Sequence, residues 1–205
     1  MPARIKLYLL RQTKFWGDYG RILARGLGVK RDKKTGHLLL ERAGPYAPPI
    51  ILKLEPFVGW IALVTQSFRE KLEAANFGEV AFKPTIKKHI VDIPWGTWDR
   101  HARLPPELPR SGEPEDFILG RKHSKQAAEL MEDIWEFMVP TLPCEIRREQ
   151  HGCHFRYYVT LPETDQRSLF RPRGENQLFF VDEAGRRWFE RAADGWVDFD
   201  EVTVV

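Results

Sequence analysis

Four side chains that could hold a metal ion lie close together in the sequence, and they are Cys144, His151, Cys153 and His154. A tetrahedral zinc site commonly uses two pairs of ligands separated by a spacer, and all four must converge. Cys153 and His154 are adjacent, so on a strand they point to opposite faces, and Cys144 lies beyond the intervening loop. The pattern is typical of a core cysteine with surface histidines, so we expect no bound metal and no cofactor. A Cys–His nucleophile pair is not expected either, because no acid is placed to orient the histidine.

Carboxylates are concentrated in the segment 111–117 (Ser-Gly-Glu-Pro-Glu-Asp-Phe), which places Glu113, Glu115 and Asp116 a few residues before His123. Such a set could act as a general acid and base, or as a metal-dependent nuclease site. The segment is bounded by prolines, which predicts an exposed loop in which the carboxylates are solvated. We therefore interpret it as an acidic contact surface, and we expect that the protein is not an enzyme.

Charge is distributed unevenly along the chain. Residues 1–43 contain eleven Lys or Arg against three acids, whereas residues 181–205 contain three Arg against seven acids. A basic stretch interleaved with Phe15, Trp16 and Tyr19 could bind nucleic acid, since cations contact phosphates and aromatic rings stack on bases. A lysine-rich hairpin turn also protects an edge strand, and no recognised nucleic-acid module accompanies these residues. The alternative function is therefore nucleic-acid binding through this basic N-terminal region.

Strand-like runs and capped helical patterns follow one another along the chain, which indicates an α+β fold with mixed sheets. The 205 residues are enough for a single domain with its own core. The longest helical pattern follows Ser124, a good N-cap residue, and covers residues 125–139 up to Pro140. Its apolar positions repeat as one face, and they are Ala127, Leu130, Met131, Ile134, Trp135 and Met138. We expect one long amphipathic helix here.

An internal repeat is the most informative feature of the sequence. Residues 64–82 align without a gap with residues 181–199, and seven of nineteen pairs are identical. The identical pairs are Val64/Val181, Arg69/Arg186, Glu73/Glu190, Ala75/Ala192, Gly78/Gly195, Val80/Val197 and Phe82/Phe199. Each copy predicts a strand, a capped helix, a glycine stop and a second strand. We therefore expect two related strand-helix-strand modules, within 60–90 and 178–205, with the long helix between them.

The beginning of the chain lacks the continuous apolar stretch of a signal peptide, because Lys6 and Arg11 interrupt it. No window approaches the roughly 20 apolar residues that a membrane-spanning helix needs. The two cysteines do not make a disulfide framework of the kind found in small secreted domains. We expect a cytoplasmic protein that does not associate with a membrane.

The repeated pattern Val-Thr/Asp-x-x-x-Arg-x-x-Leu/Phe-Glu-x-Ala-x-x-Gly-x-Val-x-Phe resembles the repeated element of immunity proteins from bacterial polymorphic-toxin and type VI secretion systems. It is similar to the immunity protein 11 group and to the double-CXXCG immunity proteins, although this chain has no Cys-x-x-Cys pair and therefore no zinc knuckle. The resemblance covers the two modules and, more loosely, residues 111–119. It implies a non-enzymatic toxin inhibitor that serves in bacterial competition. Such a protein binds a cognate secreted toxin and occludes its active site, and a nuclease effector is one candidate target.

This kind of protein–protein interaction needs a rigid surface with aromatic anchors and complementary charge. The candidate contact residues are Glu113, Glu115, Asp116, Trp95, Trp98, Asp194, Trp196, Asp198 and Asp200. If the toxin is a nuclease, its basic cleft could accept carboxylates in place of phosphates. Asp198 and Asp200 alternate with Val197 and Phe199, so both carboxylates are predicted to point to one face of the last strand.

Overall fold

The computed structural model describes residues 6–55, 59–151, 154–162, 168–173 and 178–205, with residues 54, 55, 59, 60, 151 and 154 described by their backbone alone. The chain folds into two compact units, and each unit is discontinuous in sequence. Unit 1 comprises Met1–Gln12, Lys71–Ala81 and Met138–Val205, and unit 2 comprises Thr13–Glu70 and Phe82–Phe137. The single-domain expectation stays a prediction.

Strands and helices alternate throughout the described residues, so the predicted α+β class with mixed sheets is confirmed. The strands are β1 (Leu7–Gln12), β2 (Lys30–Arg31), β3 (Leu38–Gly44), β4 (Ile50–Glu55), β5 (Gly59–Thr65), β6 (Ala81–Asp92), β7 (Ile134–Met138), β8 (Thr141–Leu142), β9 (Glu145–His151), β10 (His154–Thr160), β11 (Leu169–Pro172), β12 (Phe180–Asp182) and β13 (Val197–Val204). The helices are α1 (Gly17–Arg25), α2 (Gln66–Ala75), α3 (Asp116–Leu119), α4 (Lys125–Leu130) and α5 (Glu183–Ala192), with one 3-10 turn at Trp95–Thr97.

Unit 1 is built on a seven-stranded sheet in the order β8-β11-β12-β1-β13-β10-β9. The central strand β1 is antiparallel to both of its neighbours, β12 and β13. Helix α5 packs against these three strands. Tyr8 points toward α5, and side chains alternate along a strand. Leu7 and Leu9 therefore point away from α5. They belong to a core formed by Leu7, Leu9, Leu142, Val159, Phe170, Leu178, Phe180 and Val202.

Unit 2 is built on a six-stranded sheet in the order β2-β3-β6-β7-β5-β4. Strand β3 is parallel to β6, while β7 is antiparallel to β5. Its core is formed by Val29, Leu38, Leu40, Ile51, Ile61, Leu63, Ile90, Ala127, Met131 and Ile134. The buried Lys53 ammonium donates hydrogen bonds to the carbonyls of Arg25, Gly26 and Leu27, which follow one another at the end of α1. A cation at this position complements the negative end of the helix dipole.

The predicted long helix over residues 125–139 is wrong. Ser124 caps a helix as expected, because its Oγ accepts the N–H of Ala127, but that helix ends at Leu130. Residues 134–138 form β7, which pairs with β5. This segment is rich in β-branched and aromatic residues, and pairing with a neighbouring strand outweighs the helical spacing of its apolar residues. Leu130, assigned to the buried helix face, is 68% exposed.

The segments 64–82 and 181–199 adopt the same succession of elements. Helices α2 and α5 have equal lengths and start one residue after Thr65 and Asp182, whose side-chain oxygens accept backbone N–H groups of the first turn. Gly78 and Gly195 both adopt the left-handed backbone conformation that favours glycine. In each unit the strands before and after the helix flank a third strand, β7 in one case and β1 in the other. Descent of both modules from one duplicated element stays a prediction.

Candidate binding surfaces

Aromatic residues of unit 2 hold the acidic segment 111–117 in place. The Tyr19 hydroxyl donates a hydrogen bond of 2.8 Å to the carbonyl of Gly112. The Tyr19 ring packs edge-on against Phe117, with the ring centroids 6.1 Å apart. Phe117 is itself buried, and its ring also lies 6.4 Å from that of Trp98. The segment therefore has a buried aromatic anchor at its end and a hydrogen-bonded turn at its beginning.

The carboxylates of this segment lie on a run of tight turns. The N–H of Gly112 donates to the carbonyl of Pro109, and the N–H of Asp116 donates to the carbonyl of Glu113. Glu113 is exposed, whereas Glu115 and Asp116 are half-buried. Of these three acids, Glu115 alone has a cation partner among the described ion pairs, Arg21 at 3.9 Å. The structure thus brings Trp98 close to the segment that carries the three predicted acids, through its contact with Phe117.

Two of the three tryptophans assigned as surface anchors are core residues, so this assignment is wrong for both. Trp95 is 1% exposed and packs edge-on against Tyr46 at 4.9 Å. Trp196 is 3% exposed, and its carbonyl accepts a hydrogen bond from the side chain of the buried Gln12. Large aromatic side chains contribute most to the stability of the fold when they are buried. Trp98 is half-buried and stays a candidate contact residue.

The C-terminal acidic residues lie on β13 in unit 1. Asp198 is exposed and Val197 is buried, as the predicted alternation requires, whereas Phe199 and Asp200 are both half-buried. Arg11 of β1 lies directly opposite Asp198 and forms an ion pair with Asp200. Asp194 is exposed in the turn before the strand. Because Arg11 sits between two of the carboxylates, this surface carries less uncompensated negative charge than its sequence predicts.

The structure describes only some of the residues that the sequence raised as candidates for metal binding or acid–base chemistry. Cys153 lies outside the described residues, as do the side chains of His151 and His154. Cys144 is half-buried beside the core of unit 1, and burial raises the pKa of its thiol. Within the ranges described, no three His, Cys, Asp or Glu side chains are grouped so that they could hold a metal ion. His123 uses its Nδ1 to accept the backbone N–H of Ile90, so this nitrogen is already bound to the scaffold.

The basic N-terminal region offers less surface to nucleic acid than its sequence predicts. Arg31 donates two hydrogen bonds, of 2.6 and 3.0 Å, to the carboxylate of Glu136, and this contact raises the pKa of Arg31. Trp16 is buried, and Tyr19 is bound to Gly112. The remaining cations of the hairpin between β2 and β3 are exposed lysines, namely Lys30, Lys33 and Lys34.

Sequence reasoning missed a charged network on α5 in unit 1. The Glu183 carboxylate accepts hydrogen bonds from Arg186, from Arg187 and from the hydroxyl of Tyr8. These contacts, led by that with Arg186, hold the pKa of Glu183 far below its ordinary value. The available signal was a glutamate in the first helical turn followed by arginines three and four residues later, a spacing that favours ion pairs. The contribution of Tyr8 could not be predicted, since it comes from the other end of the chain.

Comparisons with known proteins do not extend this picture. None of the protein-family models, curated proteins or solved structures compared with the chain matches it. In the described ranges, no helix has the length and apolar character needed to cross a membrane.

Proposed function

We propose that this protein is a cytoplasmic immunity protein that binds a cognate secreted bacterial toxin and neutralises it by occluding its active site. The observation that carries the proposal is the acidic segment 111–117, which presents an exposed Glu113 and the half-buried Glu115 and Asp116 on a backbone held by Tyr19 and the buried Phe117. The resemblance of the two modules to immunity proteins of polymorphic-toxin and type VI systems supports the same function. In this reading the protein performs no reaction and takes part in bacterial competition through protein–protein contact.

A rigid acidic segment suits an inhibitor for two physical reasons. A loop that is already ordered loses little conformational entropy on binding, so more of the contact energy contributes to affinity. Carboxylates held together also attract a basic cleft at long range, which speeds association. A nuclease must carry such a cleft to bind phosphates. We therefore propose a nuclease effector as the target, with Glu113 and Glu115 occupying positions that phosphates take in the substrate.

The acidic segment of unit 2 is preferred over the C-terminal acids as the contact surface. Its three carboxylates have one described cation partner, Arg21, at 3.9 Å. On β13, Asp200 forms a close ion pair with Arg11 of β1, which also lies opposite Asp198. A carboxylate held in a close ion pair is less available to the cations of a partner than one whose nearest cation lies further away.

We expect a neighbouring gene to encode a secretion-associated protein with a toxic C-terminal region, and the test uses that region. Wild-type protein is expected to bind this region tightly and to protect growing cells from it. Glu113→Lys with Glu115→Lys is expected to weaken binding about tenfold to a hundredfold, mainly through slower association. Asp198→Lys with Asp200→Lys is the matched control, with the same charge change on the other acidic surface. A smaller effect is expected there.

Three outcomes would contradict parts of the proposal. Absence of binding and protection by the wild-type protein would overturn the immunity function. Unchanged association of the Glu113/Glu115 variant, with a normal thermal melt, would move the contact surface to another part of the chain. A salt-sensitive mobility shift with generic DNA or RNA, removed by changing Lys30, Lys33 and Lys34 to Glu, would favour the nucleic-acid alternative, since phosphate contacts give steep salt dependence.

A further inference from the structure

A shallow groove of about 570 Å³ lies at the start of helix α5 in unit 1. Its lining residues are Lys6, Asp182, Glu183, Ala184, Arg187 and Arg191. Three cations therefore face two carboxylates. The volume is within the range in which small ligands or side chains of a partner bind.

The two carboxylates of the groove are already engaged by the protein. Asp182 accepts the backbone N–H of Gly185 and the hydroxyl of Ser168, at 2.7 and 2.8 Å. Glu183 accepts hydrogen bonds from three donors, including Nε of Arg187 at 2.8 Å. The contact with Glu183 orients the guanidinium of Arg187 and leaves its two terminal nitrogens facing solvent. Glu183 thus acts as a positioning residue for Arg187.

The other two cations are not committed to the fold. Among the described residues, neither Lys6 nor Arg191 has a hydrogen-bond or ion-pair partner, and both side chains are exposed. With Arg187, they place three cationic groups around one concave surface. Positive charge collected in a concavity attracts an anionic ligand more strongly than the same charge on a flat surface.

Helix α2, at the corresponding position of the other module, shows that the module folds without these charges. In the alignment of 64–82 with 181–199, Gln66 corresponds to Glu183, Glu70 to Arg187 and Ala74 to Arg191. The inner face of the helix keeps its contacts, since Arg69 lies over the Trp135 ring as Arg186 lies over the Tyr8 ring. Gln66 accepts the Trp135 N–H at 2.7 Å, in the position of the Glu183–Tyr8 contact. The module therefore does not need the cations of α5 in order to fold.

We propose that this groove binds carboxylate side chains of an acidic peptide segment, as a second contact site that does not depend on the acidic surface of unit 2. A carboxylate fits the two terminal nitrogens of Arg187 in a bidentate arrangement, and Lys6 and Arg191 can each donate hydrogen bonds to a further carboxylate of the same segment. The open shape of the groove suits a chain that passes across it.

A phosphate group fits the groove less well than a carboxylate. Helix N-termini bind phosphate through free backbone N–H groups, but here the Asp182 side chain already accepts one of them. Asp182 and Glu183 would also repel a dianion more strongly than a monoanion, because Coulomb repulsion scales with charge. The observations therefore favour an acidic peptide over a nucleic acid or a free phosphate.

The experiment measures fluorescence anisotropy of a labelled eight-residue peptide of alternating Glu and Gly with the full-length protein. Binding is expected at low salt and is expected to weaken toward about 0.15 M salt, because exposed ion pairs are screened. Arg187→Glu with Arg191→Ala gives α5 the residues that α2 carries at these positions. This variant is expected to bind about tenfold more weakly, since two ion pairs are lost and one like charge is introduced.

The matched control, Arg173→Glu with Arg148→Ala, makes the same change in charge at exposed residues of unit 1 outside the groove. Its affinity for the peptide is expected to equal that of wild type. Equal weakening in the control, or no peptide binding by wild type, would overturn the proposal. Inorganic phosphate that displaces the peptide far better than chloride at equal ionic strength would reassign the groove to phosphate. None of these outcomes depends on toxin binding, so the proposed function is tested separately.

Discussion

The hydroxyl of Tyr19 and the carbonyl of Gly112 are joined by a hydrogen bond of 2.8 Å, although the two residues are distant in the sequence. Tyr19 lies on α1, and Gly112 adopts a φ of 82°, where a residue with a side chain would be strained. The bond fixes the start of the acidic segment, and the Tyr19 ring touches Phe117 at its end. One side chain thus contacts both ends of the proposed contact surface.

Tyr19→Phe is expected to loosen the acidic segment without unfolding unit 2. The ring contact with Phe117 is kept, while the Gly112 carbonyl loses its donor. Because water can replace an exposed hydrogen bond, the loss in the free energy of unfolding is expected to be about 1 kcal/mol or less. Hydrogen exchange of the Gly112 and Asp116 amides is expected to become faster. Unchanged exchange in this variant, with Tyr157→Phe as control, would show that the hydroxyl does not restrain the segment.

Lys53→Met is expected to destabilise the protein by about 2–3 kcal/mol, because a charged donor to three carbonyls at the end of α1 is removed. The ammonium is buried, so water cannot fully replace it. Lys33→Met, at an exposed position of the β2–β3 hairpin, is expected to change stability by less than about 0.5 kcal/mol. Urea denaturation of both variants measures the difference. Similar values for the two would mean that the contacts of Lys53 do not stabilise the helix end.

Local signals in the sequence predicted the two strand-helix-strand modules well. Their caps, Thr65 and Asp182, and their stops, Gly78 and Gly195, act within a few residues and need no tertiary partner. Helix α1, which contains Gly20, was not predicted from the sequence. A Cβ at this position would lie 2.0 Å from the carbonyl oxygen of Phe15, so the glycine is required by packing. A sequence pattern cannot show whether a glycine is required by packing or by a turn.

Tertiary pairing explains the main error in the fold. Residues 132 and 133 were placed inside a long helix, but Glu132 accepts the N–H of Ser67, and the Asp133 carbonyl accepts that of Gln66. Both therefore complete the start of α2, far away in the sequence. Residues 134–138 then form β7 because they pair with neighbouring strands, between β5 and β6. Neither the partner strand nor the distant helix start is visible in the local pattern.

The sequence predicted which acidic residues belong to the candidate surface, but it did not predict how the residues around them are arranged. The three acids of the segment 111–117 were identified because prolines mark an exposed loop. The neutralising position of Arg11 and the burial of Trp95 depend on strand register and side-chain packing, which a single sequence does not specify. The charged network around Glu183 was missed for the same reason, since Tyr8 joins it only through the pairing of β1 with β12.

The two nearby tryptophans of unit 2 are expected to respond very differently to truncation. Trp95→Ala removes a fully buried ring that packs on Tyr46, and a loss of about 3–5 kcal/mol in the free energy of unfolding is expected. Trp98→Ala removes a half-buried ring, so a loss of about 1–2 kcal/mol is expected. Its toxin affinity is expected to fall as well, because Phe117 loses a neighbour. Equal losses of stability in the two variants would contradict the assignment of Trp95 to the core.

The contacts of Glu183 predict a specific dependence of stability on pH. The pKa of Glu183 lies below its ordinary value of 4.5, because the carboxylate accepts hydrogen bonds from Arg186, Tyr8 and Arg187. A carboxyl whose pKa is lowered by folding contributes stability above its unfolded-state pKa, and this contribution is lost as the pH falls through the folded-state pKa. Glu183→Gln removes the charge and keeps the shape. The melting temperature of this variant is therefore expected to lie furthest below wild type at neutral pH, and the gap is expected to close below about pH 4.5.

The control for this prediction is the Tyr8→Phe background, in which one of the three donors is absent. The folded-state pKa of Glu183 then lies closer to its ordinary value, so Glu183→Gln is expected to produce a smaller gap in melting temperature at neutral pH than it does in wild type. Thermal melts at a series of pH values with all four proteins make the comparison. A gap that is constant with pH would show that the variant acts through packing. A gap of equal size in the two backgrounds would show that the Tyr8 hydroxyl does not stabilise the carboxylate.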